Sequence, residues 1–155
     1  MKKVNLCCGE DVKKGWLNFD YNPIDKRVSF IDLKSFPYPF KINSISIILI
    51  SSSLEHFYKE MQIKIVNECY KYLKNDGKLI ITLPTFLPYL SHKTICHYDN
   101  YLDGFIIQKQ IGKYLNQKSF STIKVTGKRT NSWGWRLKKR LFTFLYDEYE
   151  YILTK

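Results

Sequence analysis

The sequence contains no long apolar run. Its longest, "ISIILI" from Ile45, is strand-sized and falls well short of the roughly 20 residues needed for a membrane-crossing helix. There is no GxxxxGK[ST] phosphate loop, and no GxGxxG opens a long helix. No paired CxxC is present, which argues against a structural zinc site. The four cysteines (Cys7, Cys8, Cys69 and Cys96) do not form a spaced framework, and adjacent cysteines rarely bridge. They read as reduced thiols of a cytoplasmic protein. Repeats, low-complexity tracts and obvious linkers are missing, and strand-like sequence begins by Lys3, where a signal peptide would need an apolar stretch.

What is present points to one folded domain spanning 1–155. The chain is 45% hydrophobic and 16% aromatic, which excludes disorder over most of its length. The charge is lopsided: residues 113–155 hold ten Lys and Arg against three acids, so seven of the net +11 lie there. Such a field attracts polyanions, nucleic acid among them; a merely solvated basic face is the plainer alternative.

The apolar pattern alternates between strand and crossing. "KKVNLC" is a short buried-type strand stopped by Gly9, and "GWLNFD" is a second that ends on Asp20. "RVSFIDL", residues 27–33, is a third and reaches a second acid at Asp32. The prolines of "FPYPF" make residues 36–40 a loop. "SISIILISSS", residues 44–53, is a strand suited to the middle of a covered sheet. The period then changes: Met61, Ile65, Cys69 and Leu73 recur every four residues, predicting a helix over 55–73. Serines before it can cap its start, and Gly77 can take a left-handed turn after it. "GKLIITLP" is the fifth strand, and "FSTIKVTGKRT" and "YEYILTK" are two closing strands. Residues 85–117 read as an irregular aromatic cap and a helical stretch, and 128–140 as a basic segment.

This order implies an α/β fold: a Rossmann-like, mainly parallel sheet with an antiparallel C-terminal strand pair. Ligands of such sheets bind beyond the carboxyl ends of the strands. Gly9, Asp20, Asp32 and residues 51–56 all fall there. A glycine turn lets a ligand approach bare backbone, and an acid ending the next strand can accept bonds from both ribose hydroxyls. A second acid, one strand further out, can meet the exocyclic amine of adenine. The layout suits a nucleoside.

"VNLCCGEDVKKGWLNFD", "DLKSFPYPFKINSISIILISSSLEHF" and "LKNDGKLIITLP" together resemble the class I S-adenosylmethionine-dependent methyltransferases. The likeness is greatest to the small branch often found near polysaccharide and lipopolysaccharide genes, and it covers about the first 85 residues. It implies S-adenosylmethionine as cofactor, with Cys7, Cys8 and Gly9 forming the turn beside its methionine part. Asp20 then matches the ribose acid, with Tyr21 next to the adenosine, and Asp32 and Leu33 lie along the adenine. Ser51 and Ser52 match the residues lining the methyl side, and Glu55 and His56 match the "LEH" opening the next helix. Three positions depart from the pattern: Cys7 stands where a glycine is usual, Ser46 where an aspartate is, and Asn75-Asp76-Gly77 where Pro-Gly-Gly is. A Cβ at residue 7 competes for room with the cofactor's carboxypropyl arm, and a positive φ there would strain the backbone.

The implied reaction is in-line displacement at a sulfonium methyl, where positioning supplies much of the rate. His56 is the best-placed histidine to act as base on an acceptor hydroxyl, although capping or packing in the helix's first turn is the plainer role. Glu55 can catalyse, orient or cap. His92, Cys96 and His97 suit acceptor contacts or plain surface better than a metal. Trp133 and Trp135 interleave with six Lys and Arg between 128 and 140, a composition that suits single-stranded nucleic acid or sugar rings, or a hairpin with its Trp packed inward. The acceptor is expected to be a small molecule or a glycan-linked group. A nucleic-acid acceptor held by the basic segment is one alternative, and a binding protein without turnover is another.

Overall fold

The computed structural model describes residues 1–84, 122–128 and 148–155. They form β1 (Lys3–Leu6), β2 (Leu17–Asp20), β3 (Val28–Phe30), β4 (Ile45–Ser51), helix α1 (Lys59–Tyr72), β5 (Leu73–Pro84), β6 (Thr122–Lys128) and β7 (Glu148–Thr154). The seven strands make one sheet in the order β3-β2-β1-β4-β5-β7-β6. Neighbours from β3 to β5 are parallel, while β7 runs antiparallel to both β5 and β6. The sheet is therefore the mainly parallel one implied by the sequence, closed by an antiparallel pair.

Register explains why the apolar runs lie at its centre. Val4, Ile48, Leu79 and Leu153 stand opposite one another across four strands, as do Leu6, Ile50, Ile81 and Tyr151. All eight are buried, and with Ile65, Val66 and Cys69 of α1 they form one core. The four-residue spacing along the helix thus faces the sheet as its period requires. Each fully buried aliphatic chain there contributes about 1.5–3 kcal/mol. The loop at 36–40 is held down by its aromatics: Tyr38 stacks on Tyr72 at 6.1 Å between centroids, and Phe40 meets Tyr72 edge-on at 5.5 Å. The Tyr38 hydroxyl donates to the Leu33 carbonyl at 2.9 Å.

Several boundaries differ from the sequence reading, among them the start of the fifth strand, which lies at Leu73 rather than Gly77. The helix over 55–73 begins later, because buried Leu54 first folds residues 54–56 into a 3₁₀ turn that extended Phe57 then ends. No serine caps α1; its N-cap is Tyr58, and the Ser53 hydroxyl donates instead to the Ser51 carbonyl at 2.8 Å. The third strand stops at Phe30 rather than 33, since the Asp32 carboxylate takes the Lys34 N–H and the Ser35 hydroxyl and bends the chain. After the helix, the left-handed residue is Asp76 (φ 60°), not Gly77. Gly77 is small for another reason: a Cβ there would lie 2.7 Å from the Lys74 carbonyl oxygen. The expectations for 85–117, for His92, Cys96, His97, Trp133 and Trp135, and for the basic segment beyond Lys128 lie outside the described residues.

Candidate active site

The carboxyl ends of β1, β2, β3 and β4 bring most of the singled-out residues to one edge of the sheet. The chain leaves β1 through Cys7, whose φ is 54°, and turns at Gly9 (φ 49°). Both values lie in the left-handed region, which costs a residue with a Cβ about 1–2 kcal/mol. Nothing lies within 4 Å of where a Gly9 Cβ would be, so the bare backbone faces open space. The Gly9 N–H donates to Asp20 Oδ2 at 2.8 Å, and the Asn22 N–H donates to Asp20 Oδ1 at 2.9 Å. Turn and carboxylate are therefore one unit. Each carboxylate oxygen can accept more than one bond, so capacity for a diol remains.

Cys7 is half-buried and packs against the core rather than over Gly9. Burial chiefly, then the nearby Asp20 charge, pushes its thiol up to about 12, against the pull of a hydrogen bond with Ser53. Cys8 is buried, and burial followed by Asp20 also raises its thiol. Both are neutral thiols at physiological pH. The Cβ at residue 7 is carried at a backbone cost, since Cys7 holds a left-handed φ of 54°.

The outer strand ends present an aromatic and acidic surface. Tyr21 is 68% exposed and Phe30 62% exposed, with ring centroids 5.7 Å apart. Asp32 is oriented by its own turn. Leu33 is a core residue, 2% exposed, so whatever it offers a base is backbone. On the inner side, Ser51 shares a hydrogen bond with Thr82 at 2.7 Å between hydroxyl oxygens, and the Ser52 N–H donates to the Thr82 carbonyl at 2.9 Å. Ser52 is left-handed too, at φ 45°. Clustered non-glycine strain of this kind is characteristic of ligand sites.

Glu55 and His56 sit in the 3₁₀ turn beyond β4, with Glu55 near enough for its charge to act on Cys7 and with His56 exposed. The turn is fixed by a residue the sequence reading missed. Buried Gln62 donates to the carbonyls of Leu54 at 3.0 Å and Phe57 at 2.8 Å. Asn5 and Asn18 were likewise missed; they are buried partners across the β1–β2 rung. Their only sequence signal is a polar residue in the middle of each apolar strand. Among the described residues, no group of three His, Cys, Asp or Glu could hold a metal ion. No described helix is long and apolar enough to cross a membrane.

Residues 7–81, which include the Gly9 turn and the Asp20 carboxylate bonded to it, match the family model of the methyltransferase domain. The match covers 75 of the 155 residues and makes this segment similar to a methyltransferase domain. Solved structures agree on the fold. A SAM-dependent methyltransferase from Archaeoglobus fulgidus superposes with a TM-score of 0.65 at 15% identity, over 99% of this chain and 86% of that one. The plantazolicin methyltransferase BpumL, in complex with SAH, gives 0.63 at 15% identity over 100% and 76%. Phosphoethanolamine N-methyltransferase 2 of Haemonchus contortus gives 0.59 at 15% identity; the whole chain is covered, but it spans only 49% of that protein. Among curated proteins, none matches this sequence. The open turn at Gly9 and the Asp20 carboxylate both lie at the carboxyl ends of the parallel strands.

Proposed function

We propose that the chain transfers a methyl group from S-adenosylmethionine to a small-molecule or glycan-linked acceptor. The observation that carries this reading is the unit of Gly9 and Asp20: bare backbone facing open space, tied at 2.8 Å to a carboxylate on the adjacent parallel strand. Gly9 with Cys7 and Cys8 holds the amino-acid part, Asp20 the ribose, and Tyr21, Asp32 and the Leu33 backbone the adenine. Ser51 and Ser52 line the methyl side. The two SAM- or SAH-bound relatives, BpumL and the Haemonchus enzyme, support this cofactor.

The bound cofactor supplies a methyl on an excellent leaving group, so the protein's task is to orient and to remove a proton. His56, exposed on its turn, is the candidate base for an acceptor hydroxyl, and its chain neighbour Glu55 is the candidate orienting carboxylate. The free thiols Cys7, Cys8 and Cys69 suit a reducing cytoplasm. The charge surplus in 113–155 favours a second reading, a nucleic-acid acceptor, for which affinity must fall steeply with salt.

Calorimetric titration with S-adenosylmethionine and S-adenosylhomocysteine tests the cofactor. Asp20→Ala removes charge-assisted bonds worth about 1.5–3 kcal/mol and is expected to weaken both ligands by roughly 10- to 150-fold. No binding by the wild-type protein at millimolar ligand would end the enzyme reading.

A further inference from the structure

Adjacent parallel strands are ordinarily joined by a crossover of about a dozen residues or more, usually a helix. Here β1 and β2 are joined by residues 7–16 alone, with no helix. Two left-handed glycines, Gly9 and Gly15, bend this short crossover, and neither would bring a Cβ within 4 Å of other atoms. Its turns contain backbone bonds from the Asp11 N–H to the Cys8 carbonyl and from the Val12 N–H to the Glu10 carbonyl. Such a loop has little intrinsic rigidity, and it begins at the turn that the cofactor must meet.

Two buried side chains hold it. Asn5 and Asn18 are register partners, 1% and 4% exposed. Asn5 Nδ2 donates to the Asp11 carbonyl at 2.8 Å and to Asn18 Oδ1 at 3.3 Å. Asn18 Oδ1 also accepts the Lys13 N–H at 2.9 Å, and its Nδ2 donates to the carbonyls of Lys13 at 3.0 Å and Trp16 at 3.2 Å. Four backbone groups between Asp11 and Trp16 are thus fixed by one amide pair anchored in the sheet. A carboxylate at residue 18 would lack the two donated bonds, and an apolar residue at either position would lack all of them.

We propose that Asn5 and Asn18 are positioning residues for the amino-acid end of the cofactor, acting through the backbone of residues 9–16. The inference rests on the cofactor reading above. The pair touches no ligand; it fixes where Gly9 presents its backbone. Asp20 shares one bond with the crossover, from the Gly9 N–H, but the Asn22 N–H and the β2–β3 ladder anchor it without passing through the crossover. Loss of the pair therefore separates the two ends of the ligand: grip on the amino-acid portion falls while grip on the nucleoside stays.

The test compares S-adenosylhomocysteine with 5′-methylthioadenosine, which keeps the nucleoside and lacks the amino acid. For Asn18→Ala, the expected result is a loss of about tenfold or more in affinity for S-adenosylhomocysteine, with the fragment changed by less than about threefold. The double variant Asn5→Leu/Asn18→Leu, which replaces both partners with apolar chains of similar size, keeps the core filled and should give the same split if Asn18→Ala does not fold. An equal loss for both ligands, or no loss for either, would overturn the proposal. A wild-type protein that binds neither ligand would overturn the cofactor reading, and this inference with it; the two failures are thereby told apart.

Discussion

The two ends of the sheet use the same backbone device for opposite purposes. Each end has two non-glycine residues with left-handed φ: Cys7 and Ser52 at the carboxyl end, Asn43 and Asp76 at the amino end. Asn and Asp tolerate that conformation; at the amino end Asn43 lies in the turn before β4 and Asp76 near the irregular start of β5. The surroundings there are tight. Lys155 Nζ donates to Asn43 Oδ1 at 2.7 Å and to the carbonyls of Tyr70 and Leu73 at 3.1 and 2.9 Å, tying up the end of α1. A Cβ on Gly77 would collide with backbone. At the carboxyl end the left-handed residues are Cys and Ser, which gain less from the conformation, and the adjoining Gly9 faces open space. Strain without close packing is what separates a site from a turn here.

The largest expected effects come from the two glycines. Gly77→Ala places a Cβ 2.7 Å from the Lys74 oxygen and 3.1 Å from the Ile45 oxygen, and backbone must move. A loss of about 2–4 kcal/mol in urea unfolding is expected, in the range for overpacked or strained sites. Gly9→Ala should cost only about 1 kcal/mol in the same assay, from its positive φ, yet should weaken S-adenosylhomocysteine by tenfold or more, about 1.4 kcal/mol. Equal stability losses in the two variants would erase the contrast between the ends.

Cys7→Gly sharpens the comparison from the other side. Relief of the strain at φ 54° offsets the lost burial of the side chain, so stability should move by less than about 1 kcal/mol. Because the sulfur packs toward the core and Ser53, cofactor affinity should change by less than about threefold. A large gain in affinity would mean that the side chain does obstruct the cofactor.

A smaller effect is expected with pH. Burial raises the Cys7 thiol to about 12 and the Tyr72 hydroxyl also to about 12, while buried Cys69 shifts upward as well. A group whose folded pKa lies above its unfolded value stabilises the fold fully below the unfolded value. These groups lose that contribution as pH rises through the folded value. Stability measured by urea unfolding should therefore be level near neutrality and decline between about pH 9 and pH 12. A stability that rises over that window would contradict the burial assigned to these residues.

The succession of strands along the chain was legible because it depends on patterns a sequence displays. Apolar runs such as 45–50 mark central strands, and acids or glycines mark where they end. Asp20 and Gly9 could be singled out on that basis, and they prove to be bonded to each other. The start of α1 could not be read, because one buried leucine and the reach of Gln62 decide it, not the periodicity of the helix. Asn5 and Asn18 were invisible for a related reason. Each looks like a polar blemish in an apolar strand until the register sets them opposite one another. Leu33 shows the converse: the resemblance set it beside Asp32 along the adenine, and the bend at Asp32 buries its side chain in the core, leaving its backbone for that role.

The most direct measurement is a map of backbone amide resonances during titration with S-adenosylhomocysteine. Shifts are expected at Gly9, Asp20, Tyr21 and Ser52, with Asn43, Asp76 and Gly77 unmoved. Shifts confined to the amino end, or none at saturating ligand, would contradict the assignment of the carboxyl end as the cofactor site.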